Sequence, residues 1–411
     1  MTIDVASVRR RFPILDRELG GRRLVYLDSA ASSLTPEPVL EAMDHFYRWS
    51  RSNVNRGVYL LAEEATDLYE GARVALARLL DTDPTGVVFT KNATEACNLV
   101  AYGYVRAHLG PDDVLLSTVM EHHANLVPFT QAATAVGAEI RHVPLTADGQ
   151  LDLDAAAGLL RDGRVTFAAF VHVSNVLGTI NDVARLTRMV KEANPRAVVH
   201  VDGTQAVPHL PVSVADLGVD SYAVTGHKML GPTGIGALAA RPEVLERFEP
   251  FLTGGDMIRD VTLTGATWND IPHRFEAGTP MIAEAAGLAA AVAMLEALDL
   301  AAVRAHEREV TAALLDALDG VAGVRIHGPR DVKLRGGAVS FTLEGVHPHD
   351  VGAMLGSKGV CVRVGHHCAK PLMRVLGVNA TVRASTYVYN DMDDLPPLVE
   401  GLEAAATFFA R

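Results

Sequence analysis

A lysine and an aspartate in this chain stand at the ends of two expected strands, the places where an α/β protein presents reactive groups. Asp202 ends Val198-Val199-His200-Val201-Asp202 and is followed by Gly203-Thr204-Gln205, and Lys228 ends Val224-Thr225-Gly226-His227-Lys228, 26 residues further on. Ligands of open α/β sheets collect in the crevice outside the carboxyl ends of the strands, so the two groups can share one site. A carboxylate and an amine buried at such ends are costly unless paired or used. A structural ion pair is one account of them. The chemistry that needs both is that of pyridoxal phosphate (PLP): a lysine forms a Schiff base, and an aspartate keeps the pyridine nitrogen protonated so that the ring takes up electrons. An arginine at position 228 could not form the imine, and a neutral residue at 202 would weaken the electron sink.

A phosphate group needs donors. Thr225 and His227 flank the lysine, and Thr94 stands at a helix start in Asn92-Ala93-Thr94-Glu95, after the run Val87-Val88-Phe89-Thr90. Backbone N–H groups near Ala93 would add the favourable end of the helix dipole. A plain helix cap explains the same four residues. Of the three cysteines, Cys97 sits in an apolar helical pattern and Cys361 alternates with Val360 and Val362, as buried fillers do. Cys368 differs, because it follows Gly365-His366-His367 in a polar turn, where a thiol can act as a nucleophile. A zinc site from His122, His123, His366, His367 and Cys368 would need adjacent side chains to converge, and adjacent side chains diverge; no metal is expected.

From Val87 onward, short β-branched runs alternate with helical stretches. Strands are expected at Val87–Thr90, Val114–Ser117, Ala138–Val143, Val165–Val173, Ala197–Val201, Ser221–Val224 and Ile235–Ala239, with helices from Thr94, over Asn125–Val136 and over Val183–Ala193. That rhythm predicts an α/β fold with a largely parallel sheet covered on both faces. The link Thr225–Gly234 is too short for a crossover helix, so the last strand should run antiparallel to its neighbour. The main sheet is expected to start after Leu27-Asp28. Beyond Ala283 come two long Ala/Leu/Glu helices ending near Gly320, then strands at Val324–Ile326, Ala338–Leu343 and Val360–Val364 around a helix at Pro348–Ser357. We read a large α/β domain over 24–284 and a smaller α+β domain over 285–411, with 1–23, including the amphipathic stretch Val8–Leu15, packed onto it. Leu252–Ala266 has little periodic pattern and is long for a plain connection, which marks it as functional.

Composition narrows the partners. With 37 basic and 49 acidic residues the 411-residue chain carries a formal charge of −12, and no basic run exceeds three residues, so nucleic acid is not expected. Three cysteines cannot build a disulfide framework and suit a reducing cytoplasm. The start Met1-Thr2-Ile3-Asp4 lacks the pattern of a signal peptide. The uncharged run Ala285–Leu295 spans 11 residues, short of the roughly 18 that a membrane crossing needs. It reads as a core helix.

Several longer stretches occur together and in order: Glu121-His122-His123-Ala124-Asn125, Ser174-Asn175-Val176-Leu177-Gly178-Thr179, Asp202-Gly203-Thr204-Gln205, Gly226-His227-Lys228, Arg274-Phe275-Glu276-Ala277-Gly278-Thr279-Pro280 and Arg363-Val364-Gly365-His366-His367-Cys368. On these the chain resembles the group II (SufS-like) cysteine desulfurases of the class V branch of fold-type I PLP enzymes. The resemblance implies a mainly parallel seven-stranded sheet in the large domain and a homodimer with active sites near the subunit interface. It also implies that Lys228 holds PLP, Asp202 pairs with the pyridine nitrogen, Gln205 meets the phenolic oxygen and His123 stacks on the ring. The phosphate would lie among Ala93, Thr94, Thr225 and His227, with Thr279 supplied by the partner subunit. Asn175 and Arg383 would hold the substrate carboxylate, and Cys368 would accept the sulfur of L-cysteine as a persulfide, leaving L-alanine. Lys228 would move the Cα proton, and His123, His366 or His367 would assist other proton movements. A sulfur-acceptor protein, serving iron–sulfur cluster assembly or another sulfur-using pathway, is the expected partner.

One departure is visible: the family reads Val-His-Arg-Gly where this chain has Val54-Asn55-Arg56-Gly57. An amide does not titrate near neutrality as an imidazole does, so a proton-shuttling or docking role at that position is open. The remaining alternatives are a selenocysteine lyase or cysteine sulfinate desulfinase, another class V decarboxylase, epimerase or aminotransferase, and a non-catalytic sulfur-carrier or metal-binding scaffold.

Overall fold

The structure, a computed structural model, describes residues 3–55 and 57–409. Met1 and Thr2 of the amino-terminal stretch and Arg56 of the Val54–Gly57 motif lie outside them. Seven strands make the large sheet: β1 (Val87–Thr90), β2 (Val114–Thr118), β3 (Glu139–Val143), β4 (Val165–Val171), β5 (Val198–Asp202), β6 (Ser221–Thr225) and β7 (Gly236–Ala240), in the order β1-β7-β6-β5-β4-β2-β3. Neighbours among β2 to β6 pair in parallel. As the short Thr225–Gly234 link requires, β7 is antiparallel to β6, and also to β1. Every residue of β1, β5, β6 and β7 is buried, which is why these runs are mainly apolar or small on both faces. Edge strand β3 carries Glu139 and Arg141, charges that suit an unpaired edge.

The helices that cover the sheet are α1 (Leu60–Leu80), α2 (Ala93–Val100), α3 (His123–Val136), α4 (Val183–Ala193) and α5 (Ile282–Leu298); α6 (Leu300–Asp319) follows α5 and packs mainly on the strand Val324–His327 and the helix Leu395–Phe409. Four start on side-chain caps: Asn92 accepts the Glu95 N–H before α2, His122 that of Ala124 before α3, Asp182 that of Arg185 before α4 and Asp299 that of Ala301 before α6. In α5 the run Ala285–Leu295 buries Ala285, Leu288, Ala291, Val292 and Leu295 and packs against α1 and the helix Glu37–His45. Among the described residues no single helix is long and apolar enough to cross a membrane.

A second, antiparallel sheet holds β8 (Val324–His327), β9 (Ala338–Leu343), β10 (Arg363–Gly365) and β11 (Thr381–Ser385) in the order β8-β9-β11-β10. It packs with α7 (Pro348–Ser357) and α8 (Leu395–Phe409) around Leu314, Phe341, Val382 and Leu398. The amino-terminal stretch forms a helix over Val5–Arg9 and a tight turn over Pro13–Asp16; Arg9 donates to the Tyr389 carbonyl at 2.6 Å, and the Phe12 and Tyr389 rings meet edge to face at 4.9 Å.

Three expectations are corrected. The first strand of the large sheet is Val87–Thr90, because the chain after Asp28 enters the helices Glu37–His45 and α1. Val360–Val364 is not one strand: Val360–Cys361 pairs in parallel with Val25–Tyr26, whereas Arg363–Gly365 pairs with β11. The stretch Leu252–Ala266 holds an exposed strand, Ile258–Thr262, which pairs with Gly265–Trp268 in a hairpin.

Candidate active site

The carboxyl ends of β1, β2, β4, β5 and β6 open on one cavity of about 190 Å³, closed from the other side by residues of β10, β11 and the turn after β10. Lys228, Asp202, Gln205, Thr225, His227, Ala93, Thr94, Asn175, Arg383 and Cys368 all line it. The amine, the carboxylate and the thiol, far apart in the chain, therefore share one space. Thr279 lies elsewhere, in a separate apolar recess with Phe89, Phe251 and Phe275.

Asp202 is 4% exposed, and its Oδ1 accepts the Thr204 N–H at 3.0 Å. Lys228 reaches the cavity from the turn Gly226–Lys228 that follows β6. Burial pushes its pKa down to about 8; Asp202 opposes that shift, and Arg383 and Arg363 add to it. Gln205 donates from Nε2 to the Ala30 carbonyl at 2.7 Å, which sets the direction of its amide. His227 has its pKa lowered to about 4 by burial and by the neighbouring Lys228, so its ring is neutral at pH 7. Gly236, on β7, lies against the start of α2: a Cβ there would come within 2.8 Å of the Asn92 backbone and 2.7 Å of the Val224 carbonyl. A side chain would push apart the helix start and the strand that bear Thr94 and Thr225.

One assignment changes. His122 is the histidine on the cavity wall, and His123 is not among the lining residues. The reason is the phase of the helix start: His122 is the extended cap residue, its Nδ1 accepting the Ala124 N–H, while His123 is the first residue of α3 and turns away. Burial, followed by the nearby Lys228, lowers the His122 pKa to about 3, so it presents a neutral ring. His123 instead fastens the thiol-bearing turn. Its backbone N–H donates to the Cys368 carbonyl at 2.7 Å, and its Nε2 accepts the Lys370 N–H at 3.1 Å.

That turn is held from several sides. His367 and Cys368 have φ of 50° and 56°, the left-handed region that non-glycine residues avoid. The His367 carbonyl accepts from Asn175 Nδ2 at 2.7 Å, and His367 Nε2 meets Thr381 Oγ1 at 2.8 Å. Arg363, which the sequence reading did not single out, lines the cavity and brings Nη2 to 3.9 Å from the Cys368 sulfur, a cation placed to hold a sulfur anion. Its only signal was its place at the head of the Arg363–Cys368 motif. The other thiols do not face the cavity: Cys97 is buried between Asn125 and His200, and burial raises the pKa of Cys361.

The polar atoms of this cavity fit an anionic, nitrogen-bearing guest. Thr225 Oγ1, Thr204 Oγ1, Asn175 Oδ1, His367 Nδ1 and Arg383 Nε are all buried and have no hydrogen-bond partner among the described residues. Such atoms are costly unless a ligand satisfies them. Thr225 and the first residues of α2 line this cavity, where helix N–H groups favour a phosphate, and Asp202 lines it together with the lysine that PLP requires. No group of three or more metal-ligating side chains occurs among the described residues.

A sheet of this topology, with a lysine and an aspartate at its strand ends, places the protein among the fold-type I PLP enzymes, and the profile of the aminotransferase class-V family matches residues 25–398. The chain belongs to that family. A probable cysteine desulfurase of Halobacterium salinarum is 47% identical over 410 residues, covering 99% of this chain and 98% of its own length. Another, of Mycobacterium leprae, is 47% identical over 415 residues, covering 100% of this chain and 98% of its own. Among solved structures, the apo cysteine desulfurase of Thermococcus onnurineus superposes with a TM-score of 0.93 at 39% identity and 99% coverage of both chains. The cysteine desulfurase CsdA of Escherichia coli gives 0.91 at 38% identity and 100% coverage of both.

Proposed function

We propose that this protein is a PLP-dependent cysteine desulfurase, which takes the sulfur of L-cysteine onto Cys368 and releases L-alanine. The observation that carries the reading is the convergence of Lys228, Asp202 and Cys368 on one cavity. Bound there, PLP supplies the electron sink that lets an amino acid give up its Cα proton. Lys228 would hold the cofactor covalently, Asp202 would face its ring nitrogen and Gln205 its phenolic oxygen. Thr225, His227, Thr94 and the N–H of Ala93 would hold the phosphate, and His122, rather than His123, would lie against the ring.

The chain's own groups divide the remaining work. Arg383 and Asn175 take the substrate carboxylate, for which a guanidinium is suited. Lys228, with its pKa near 8, exchanges a proton close to neutrality and serves as the base at Cα. Cys368 attacks the substrate sulfur as its thiolate, with the Arg363 guanidinium 3.9 Å away to balance the negative charge. An S–S bond forms, the carbon–sulfur bond breaks, and its electron pair stays with the carbon skeleton, which is protonated to alanine. Cys368 must be kept reduced, which supports a reducing cytoplasm as the working compartment.

A homodimer is part of this reading. It would bring Thr279 of a second copy to the phosphate, and the exposed apolar side chains Trp49, Val58, Tyr59 and Leu60 support an interface. The large domain would span 24–284 and the small one 285–411 with 1–23. An acceptor protein would then relieve Cys368 of its sulfur for iron–sulfur cluster assembly or another sulfur-using pathway. Mass spectrometry after L-cysteine treatment tests the core of this reading: one added sulfur is expected on Cys368. In Cys368→Ser, alanine and persulfide formation should fall by about 100-fold with cofactor retained. Undiminished sulfur transfer in that variant would place the nucleophile elsewhere.

A further inference from the structure

Asp28 follows the short strand Val25–Tyr26 and has no part in the scheme above. Its Oδ1 accepts from Arg383 Nη2 at 3.0 Å, in a contact made through one oxygen only. Arg383, on β11, is 1% exposed, and its Nη1 donates to the Asn175 carbonyl at 2.9 Å. Two of its three nitrogens are thus tied to the protein. The third, Nε, donates to nothing among the described residues, and neither does any group donate to Asn175 Oδ1.

A buried guanidinium near Arg363 and Lys228 needs a counter-charge while no substrate is present. A carboxylate that gripped the whole fork would leave no edge for a ligand. A one-oxygen contact neutralises the cation and still leaves an edge free. We propose that Asp28 is a positioning residue for the amino-acid carboxylate: together with the Asn175 carbonyl it fixes the plane of the Arg383 guanidinium and leaves the Nε edge as the docking edge. This rests on the assignment of Arg383 to the substrate carboxylate. Asp28 touches neither substrate nor cofactor; it acts through Arg383.

The test compares two amines that differ only in the carboxylate, L-alanine and ethylamine, titrated at equilibrium into the PLP-loaded full-length protein and followed by cofactor absorbance. In Asp28→Asn the Kd for L-alanine should rise by about tenfold, while that for ethylamine stays within about twofold. An equal loss for both amines, or no loss for L-alanine, overturns the proposal. Arg383→Ala separates the two levels of inference. If it weakens L-alanine selectively and Asp28→Asn does not, Asp28 alone loses its role; if Arg383→Ala leaves L-alanine binding intact, the carboxylate assignment fails and takes this proposal with it. Should Asp28→Asn not fold, Asp28→Glu, with its carboxylate displaced by one methylene, should still weaken L-alanine more than ethylamine, and equal weakening would be equally fatal.

Discussion

Asp202 and Thr225 close neighbouring strands in which every residue is buried, whereas Cys368 stands on a turn beyond β10 whose backbone enters the left-handed region twice in succession. The first pair gets its position from sheet hydrogen bonds that would exist in any protein of this topology. The second position costs about 1–3 kcal/mol per strained residue and is kept by contacts from outside the turn: the His123 N–H on the Cys368 carbonyl, Asn175 on the His367 carbonyl and Thr381 on the His367 ring. The difference matches the two tasks. On the proposed reading, a cofactor that stays bound would be served by a rigid floor, while a sulfur-carrying thiol would have to be aimed inward during reaction and emptied afterwards.

Removing Lys228 should give the largest effect on the floor. Lys228→Ala is expected to lose alanine formation by at least about 1,000-fold, and borohydride should fix no pyridoxyl group to it, whereas the wild-type lysine should be labelled. A labelled Lys228→Ala protein would break the contrast by placing the reactive amine elsewhere. The paired histidines sharpen it. His122→Ala should change the cofactor's absorbance and lower turnover by about 10-fold or more. His123→Ala should leave the absorbance alone and slow persulfide formation about fivefold, the equivalent of one hydrogen bond of about 1 kcal/mol. A spectral change in His123→Ala and none in His122→Ala would reverse the assignment.

Smaller still is the effect expected from Thr381→Val, which removes the hydroxyl that meets His367. Denaturant melts should show a loss of about 1 kcal/mol, with slower persulfide formation and an unchanged cofactor spectrum. The mildest perturbation is pH. Because burial depresses the Lys228 pKa to about 8, the amine is neutral and nucleophilic above that value and protonated below it. Capture of added PLP by cofactor-free protein should therefore accelerate as pH rises, with a midpoint near 8; a midpoint near the ordinary lysine value would show that the amine is not buried.

Much of the floor was legible in the sequence because its signals are local and periodic. Continuous apolar runs marked the parallel strands, and the polar residues that end them marked the crevice. The histidine pair was not legible, since two adjacent imidazoles differ only in helix phase, and that phase is set by where α3 begins, at the cap contact of His122 with the Ala124 N–H. Val360–Val364 read as one strand because its alternation is unbroken. The division into two pairings comes from partners at Val25–Tyr26 and at β11, far away in sequence. Arg363 and Asp28 carried no spacing signal, because their roles arise from contacts with Cys368 and Arg383 that only the folded chain makes.

The six residues from Val360 to Gly365 serve two sheets in turn: the first two pair with Val25–Tyr26, just ahead of Asp28, and the last three lead into the turn that bears Cys368. Val362 is the hinge between those loyalties. Inserting or deleting one residue there would slip either the anchor of the Arg383 clamp or the aim of the thiol, whichever pairing yields first. Chimeras that exchange the thiol turn with a relative should accordingly take the whole segment from Val360 through Cys368 as one cassette, together with the Val25–Asp28 stretch against which it is registered.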